Sequence, residues 1–239
     1  MHFDLRLAFV AAAAIATLHA NAASLQASPI SINVDAERGA ATLTLKNTDD
    51  APVQAQVRLF RWTQADNKDV LEPTEEVLAS PPFASIKANG TQLVRVVLTD
   101  PALSVPERNY RILVDEIPNP EATPKGITVN FRYSIPVRVV RQADASVQPK
   151  LVSAWVADGA SLALTLRNEG TGRAQISAVS ANGSGTEGTV LEKGLLGYVL
   201  PGAERTWVFS MPTESLAKAT RSFTARVNGM DAKFVQRPD

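Results

Sequence analysis

Downstream of residue 40 the apolar and polar positions alternate in short runs. Ala41-Thr42-Leu43-Thr44-Leu45 and Val53-Gln54-Ala55-Gln56-Val57-Arg58-Leu59 each place every second side chain on one apolar face. That period of two marks a strand with one face buried. In Phe60-Arg61-Trp62 the apolar parity moves by one, which predicts a bulge. Leu93 to Leu98 and Tyr110 to Val114 are β-branched or aromatic runs, and Ile127 to Ile135 is the longest clean alternation. Turn signals separate these runs: Thr48-Asp49-Asp50, Pro81-Pro82, Asn89-Gly90, Pro118-Asn119-Pro120 and Pro124-Lys125-Gly126. Strands at this spacing predict an all-β sandwich or barrel. No long helical period competes, and Leu216 to Thr220 predicts a single helical turn at most.

The polar stretch Arg141 to Lys150, with Pro149, interrupts the pattern, which then restarts. Leu164-Thr165-Leu166-Arg167-Asn168 echoes Leu43-Thr44-Leu45-Lys46-Asn47. Gly202 before Thr206-Trp207-Val208-Phe209 echoes Gly90 before Val94-Arg95-Val96-Val97. Two echoes in the same order predict two related sandwiches in series, residues 24–142 and 143–239.

The first residues are different in kind. Arg6, the apolar run Leu7 to Leu18 and Ala20-Asn21-Ala22 have the layout of a secretory leader, assigned to residues 1–23. The run is shorter than the roughly 20 residues that span a bilayer, and no membrane anchor is expected after it. The chain has 239 residues, 45% hydrophobic, with Lys+Arg and Asp+Glu both at 24. A zero formal charge disfavours sequence-independent nucleic-acid binding, which uses a basic stripe. There is no cysteine, and the two histidines, His2 and His19, fall in the leader. A mature chain without thiol or imidazole lacks the usual groups for nucleophilic triads and zinc sites. No enzyme, metal or cofactor is expected.

Several strings, in order, resemble a known family: Leu43-x-Leu45-Lys46-Asn47, Gln56 to Trp62, Ser80-Pro81-Pro82-Phe83, Ile86 to Gly90, Leu93-Val94-Arg95, Tyr110 to Pro118, and Phe131 to Val137. Each string is common in β-sandwiches, but the ordered set is specific. It resembles the PapD-like periplasmic chaperones of the chaperone–usher pilus pathway. VRLFRW, YRILVDEIP and FRYSIPV look like the archaic branch, whose subunits resemble spore coat protein U. The resemblance implies two immunoglobulin-like domains set in a boomerang, acting in the periplasm on pilus subunits and delivering them to an outer-membrane usher. Release by strand exchange needs no ATP. A self-capping oligomer of the free protein is left open.

The resemblance also implies site residues. Such a chaperone lends a β-strand to a subunit that lacks its last one. The candidate donor carries Ile127, Val129, Phe131, Tyr133, Ile135 and Val137 on one side. From the pattern alone this row equally suits a half-buried strand facing its own core. Pro136 removes a ladder donor and suits an edge, and Asn119 to Lys125 reads as a loop. Other branches hold the subunit's C-terminal carboxylate with an arginine near the first strand and a lysine on the donor. This chain departs from that: Ser24 to Val34 holds no basic residue, and the lysine position falls at Pro136. Arg111, with Arg132 as partner, is the expected replacement, because a planar guanidinium binds a carboxylate through two parallel hydrogen bonds. A solvated or ion-paired Arg111, with Asp115 or Glu116, is the competing expectation. Arg95 and Glu107 resemble the family's interdomain charge cluster, with Asp231 as a partner acid. Pro81-Pro82 is a place where a cis bond can form. Trp62, Trp155 and Trp207 are expected in cores.

Two other readings compete. A secreted pilus subunit or other immunoglobulin-like binding module would ordinarily carry an alternating N-terminal extension, whereas Ala23 to Ile30 is short and broken by Pro29. A glycosidase needs two carboxylates about 5–9.5 Å apart on one face; Asp115 and Glu116 are adjacent, so a strand turns them to opposite faces.

Overall fold

The computed structural model describes residues 25–100, 106–117, 130–141, 146–183, 188–210 and 220–235. Within them every regular element is a β-strand. The leader, Ile127, Val129, the 119–125 segment and residues 216–219 lie outside the described residues.

The first immunoglobulin-like sandwich has two sheets. One is ordered β1 (Leu25–Ser28), β3 (Ala40–Asn47), β8 (Thr91–Leu98), β6 (Val77–Ser80). The other is ordered β2 (Ile32–Asp35), β10 (Arg132–Val140), β9 (Glu107–Ile117), β4 (Val53–Ala65), β5 (Lys68–Pro73), with β7 (Phe83–Ile86) also on β4. The alternating residues read from the sequence meet between the sheets. Leu43, Leu45, Val94, Val96, Ile112, Val114, Ile135, Val137 and Val139 all lie in one buried core. Each such side chain contributes about 1.5–3 kcal/mol by leaving water. β1 and β2 are successive pieces of one segment that changes sheets around Pro29, after the cis Ser28–Pro29 bond; Ser80–Pro81 is also cis.

The second sandwich is built from the sheet β11 (Leu151–Asp158), β12 (Ser161–Asn168), β15 (Glu204–Ser210) and the sheet β14 (Thr189–Val199), β13 (Ala174–Asn182), β16 (Ser222–Val227), β17 (Met230–Val235). Trp155 packs edge-on to Phe223 in its core, with centroids 4.9 Å apart, and Trp207 packs partly buried against the same cluster. The first sandwich ends at Val140 and the second begins at Leu151; residues 142–145, where the boundary was expected, are outside the described set.

The sequence echo is a structural equivalence. Asn47 and Asn168 are both fully buried at the ends of β3 and β12. The Asn47 side-chain amide donates to the carbonyls of Ala51 (2.7 Å) and Lys87 (3.0 Å), and its oxygen accepts from the Asp49 N–H. The Asn168 amide donates to Gly172 (2.8 Å) and Val199 (3.0 Å), and its oxygen accepts from the Gly170 N–H. With Ile86 for Asn47 and the Lys150 N–H for Asn168, each amide bonds four backbone groups that burial would otherwise leave unpaired. The glycine echo is displaced by one residue. The Asn47 and Asn168 N–H groups donate to Gly90 and Ala203, and the preceding Asn89 and Gly202 take the positive φ values of 54° and 75°.

The expected bulge at Phe60 is absent. β4 pairs in unbroken register with β9 from Gln54 to Arg61 and with β5 from Phe60 to Ala65. Trp62 keeps the parity of Arg58 and Phe60 and so faces away from the first core. It is buried because the second domain covers it there. The irregularity lies in β13, where the register shifts between Ile176 and Ser180 and Ala178 has φ 50°.

Candidate functional site

β10 is half closed. Its register with β9 runs unbroken from Arg132 to Val140, whereas β2 covers its other edge only from Val137 to Val140. Among the described residues, no strand pairs with the outer edge of Arg132 to Pro136. Pro136, with no N–H to donate, sits at the junction. β1 occupies the corresponding edge of the facing sheet. The Tyr133 hydroxyl, donating to the Leu25 carbonyl, bridges the seam. Burial pushes the Tyr133 phenol up from its ordinary value, and the Glu116 charge adds to this.

The outer face beside this seam meets the second domain. Trp62, 2% exposed, packs edge-on to Tyr198 at 5.3 Å and forms a small core with Leu200 and Ala203. Two side-chain amides of the β4–β5 hairpin clamp the second domain's backbone reciprocally. Gln64 donates to the Tyr198 carbonyl (3.0 Å) and accepts from the Leu200 N–H (2.9 Å). Asn67 donates to the Thr206 carbonyl (3.0 Å) and accepts from the Thr206 N–H (2.8 Å). Asp69 receives Arg205 at 2.8 Å and Arg111 at 3.6 Å. Glu107, its side chain fully sealed, pairs with Arg138 and accepts the Arg173 backbone N–H at 2.9 Å.

Two guanidiniums lie in this junction, each 5.4 Å from the centre of the Tyr198 ring. Arg111, from β9, stacks on Trp62 at 3.8 Å and reaches the Ser134 carbonyl at 3.4 Å. Arg173, just before β13, donates through Nη2 to the Ser31 hydroxyl at 3.3 Å, and its buried Nη1 has no hydrogen-bond partner. Burial lowers both guanidiniums below their ordinary value. Asp69 and then Tyr198 offset this for Arg111, and Tyr198 and then Glu107 for Arg173, while Arg138 and Arg111 push Arg173 further down. An open strand edge ends beside a cationic pocket. Such an arrangement can accept an extended chain and hold an anionic group at its end.

Residues 24–140 match the model of the pili and flagellar-assembly chaperones, PapD N-terminal domain. The first domain belongs to that family. Solved structures agree in fold. A chain of the CsuC–CsuE chaperone–tip adhesion subunit pre-assembly complex, from the archaic chaperone–usher Csu pili of Acinetobacter baumannii, is 22% identical, with a TM-score of 0.69 over 90% of this chain and 100% of that one. A chain of the Salmonella enterica SafA pilin–SafB chaperone complex is 19% identical, with a TM-score of 0.61 over 90% and 97%. The Pseudomonas aeruginosa CupB2 chaperone is 18% identical, with a TM-score of 0.56 over 87% and 97%. No curated protein sequence matches the chain. The family is one of chaperones for pilus subunits, not of enzymes. Among the described residues, no helix is long and apolar enough to cross a membrane, and no three His, Cys, Asp or Glu side chains gather as a metal site.

In this chaperone the expected site residues divide. Of the donor row, Ile135 and Val137 are sealed in the first domain's own core, Tyr133 sits at its margin and Phe131 is half-buried. Arg111 is in the cleft, partnered by Asp69 rather than by Asp115 or Glu116. Arg132 is not beside it. The two arginines are four register positions apart, about 13 Å at strand rise, and Arg132 is bound to Asp115, which also holds Arg58 at 2.6 Å. Glu107 lies between the domains, but Arg95 does not. Val94 and Val96 face the core of the other sheet, which turns Arg95 out to solvent. Asp231 is exposed on β17 with Arg226.

Gln64, Asn67, Asp69, Arg173, Tyr198 and Arg205 were not expected from the sequence. The parity change at Trp62 was the one visible signal of their interface. An apolar residue on the polar face of a strand marks a second burial surface as readily as a bulge.

Proposed function

We propose that this chaperone completes a pilus subunit's sheet along the open edge of Arg132 to Pro136 and the residues leading into it. The carrying observation is that β2 leaves this edge unpaired up to Pro136 while β9 holds β10 from behind. An open edge attracts strands and is a hazard unless a partner fills it. The donor side chains are Ile127, Val129, Phe131 and Tyr133; Ile135 and Val137 anchor the strand in its own domain. β2 runs parallel to β10 and begins at Ile32 opposite Val137. A subunit strand running the same way beside residues 132–136 ends next to Ser31. There it presents its terminal carboxylate to the cleft where Arg111 lies. The cations favour this direction over the reverse, which would carry the terminal carboxylate away from them.

The leader pattern and the family together support the periplasm as the place of action and an outer-membrane usher as the acceptor. The strings shared with the archaic branch support spore coat U-like subunits as cargo.

The test is co-expression with a pilus subunit. Phe131→Asp, outside the sealed core, abolishes recovery of the complex while the free chaperone unfolds at an unchanged temperature. Undiminished recovery from this variant contradicts the donor assignment.

A further inference from the structure

The Arg173 guanidinium is poorly matched to its surroundings. It belongs to a residue 8% exposed, and its Nη1 has no hydrogen-bond partner. The carboxylates nearby are committed elsewhere. Glu107 is bonded to the Arg138 and Asn109 side chains and to the Arg173 backbone N–H. Asp69 is shared by Arg205 and Arg111. Arg111 and Arg173 flank the Tyr198 ring, Arg138 pairs with Glu107 and Arg205 with Asp69, so these four guanidiniums share two carboxylates. A buried charge without a matched partner is costly. Such departures from satisfied chemistry concentrate at functional sites.

Its position gives the cation a use. Arg173 contacts Ser31 and Arg111 contacts the Ser134 carbonyl. Ser31 is the residue just before β2 starts pairing, and Ser134 lies within the unpaired stretch of β10. The two arginines therefore flank the point where the open edge begins, one from each domain.

We propose that Arg173, from the second domain, is the second ligand of the subunit's terminal carboxylate, so that the anchor exists only when both domains are in register. This rests on the reading of Arg111 as an anchor and replaces Arg132 as its partner. One carboxylate satisfies the orphan Nη1 and offsets the excess positive charge. The second domain thereby becomes part of the recognition site. The Gln64 and Asn67 clamps then set the spacing between the two cations.

The probe is a fluorescein-labelled peptide, Thr-Val-Ser-Val-Thr-Val, with either a free C-terminal carboxylate or a C-terminal amide, titrated with the full chaperone by polarisation. The wild type binds the acid at least about tenfold more tightly than the amide, the scale of one charge-assisted hydrogen bond. Arg173→Gln brings that ratio towards one. Arg173→Lys, which keeps the charge but loses the fork, gives an intermediate ratio and carries the test if the glutamine variant is unstable. Arg226→Gln, an exposed charge on β16, leaves the ratio unchanged. If Arg111→Gln removes the acid preference and neither Arg173 variant alters it, the assignment of Arg173 is overturned and the Arg111 anchor stands. A wild type with no acid preference, including one that binds neither peptide, overturns both.

Discussion

The Arg111 guanidinium lies 3.8 Å from the centre of the Trp62 ring, on an indole sealed beneath the second domain. The stack ties a strand of the first domain's outer face to the interdomain core. Arginine over tryptophan is the strongest common cation–π pairing. Removing the indole should loosen both partners. Trp62→Ala is expected to cost about 3–5 kcal/mol at the interface, read as a lower unfolding temperature and greater interdomain motion in solution scattering. An unchanged scattering profile would mean that the clamps alone hold the domains.

The reciprocal amide bonds of Gln64 and Asn67 make the domains unfold together. Gln64→Ala and Asn67→Ala each strip two interdomain hydrogen bonds and leave backbone groups of the second domain unpaired. Each should cost about 1–3 kcal/mol. Calorimetry should show a single transition splitting into two in the double variant, and a persisting single transition would contradict this.

Asn47 and Asn168 play the same part in different domains, so their loss should be separable. Asn47→Ala should destabilise the first sandwich and Asn168→Ala the second, by at least about 1–3 kcal/mol for the carbonyls orphaned. Hydrogen exchange resolved by domain is the readout; equal loss of protection in both domains from either variant would refute the assignment.

Tyr110 gives the fold an alkaline limit. Burial first, then its hydrogen bond to Glu76 at 2.7 Å, pushes its phenol up from 10.0 to about 12. The folded state therefore keeps its proton where the unfolded chain loses it. Stability from this group is intact below pH 10 and drains away between 10 and about 12. Tyr110→Phe should flatten that decline, as followed by chemical denaturation across the range.

Asp115 acts at the acid end. Burial by itself would raise its carboxyl, but the hydrogen bonds from Arg58 and Arg132 more than reverse this and hold it below its ordinary 3.8. Its contribution is present above that value and is lost as the pH falls through the lowered one. Asp115→Asn should remove that part of the acid limb while leaving subunit binding in place, since Arg132 then serves the fold and not the anchor.

Strand-by-strand alternation made the sandwiches legible, because one buried face per strand leaves a period of two. The LTLKN and LTLRN strings carried the duplication, because one buried asparagine does the same bonding in each domain. The open edge was legible only as a candidate. Ile135 and Val137 match the donor pattern as well as Ile127 and Val129 do, and only packing shows that Ile135 and Val137 belong to the first core. The cleft was the least legible part. Arg173, Tyr198 and Asp69 come from distant segments with no shared period, and what joins them is how two domains dock. Arg132 and Arg111 looked like a pair on facing strands, but antiparallel register put them four positions apart.

The account turns on whether the unpaired edge of β10 is where the subunit binds. Amide hydrogen exchange, measured on the free chaperone and on its complex with a pilus subunit, addresses this directly. Within residues 132–135, the amides that point away from β9 should exchange readily in the free protein and become strongly protected in the complex. Residues 137–140, already paired on both sides by β2 and β9, should change little. Unaltered exchange of those outward amides on complex formation would contradict the account.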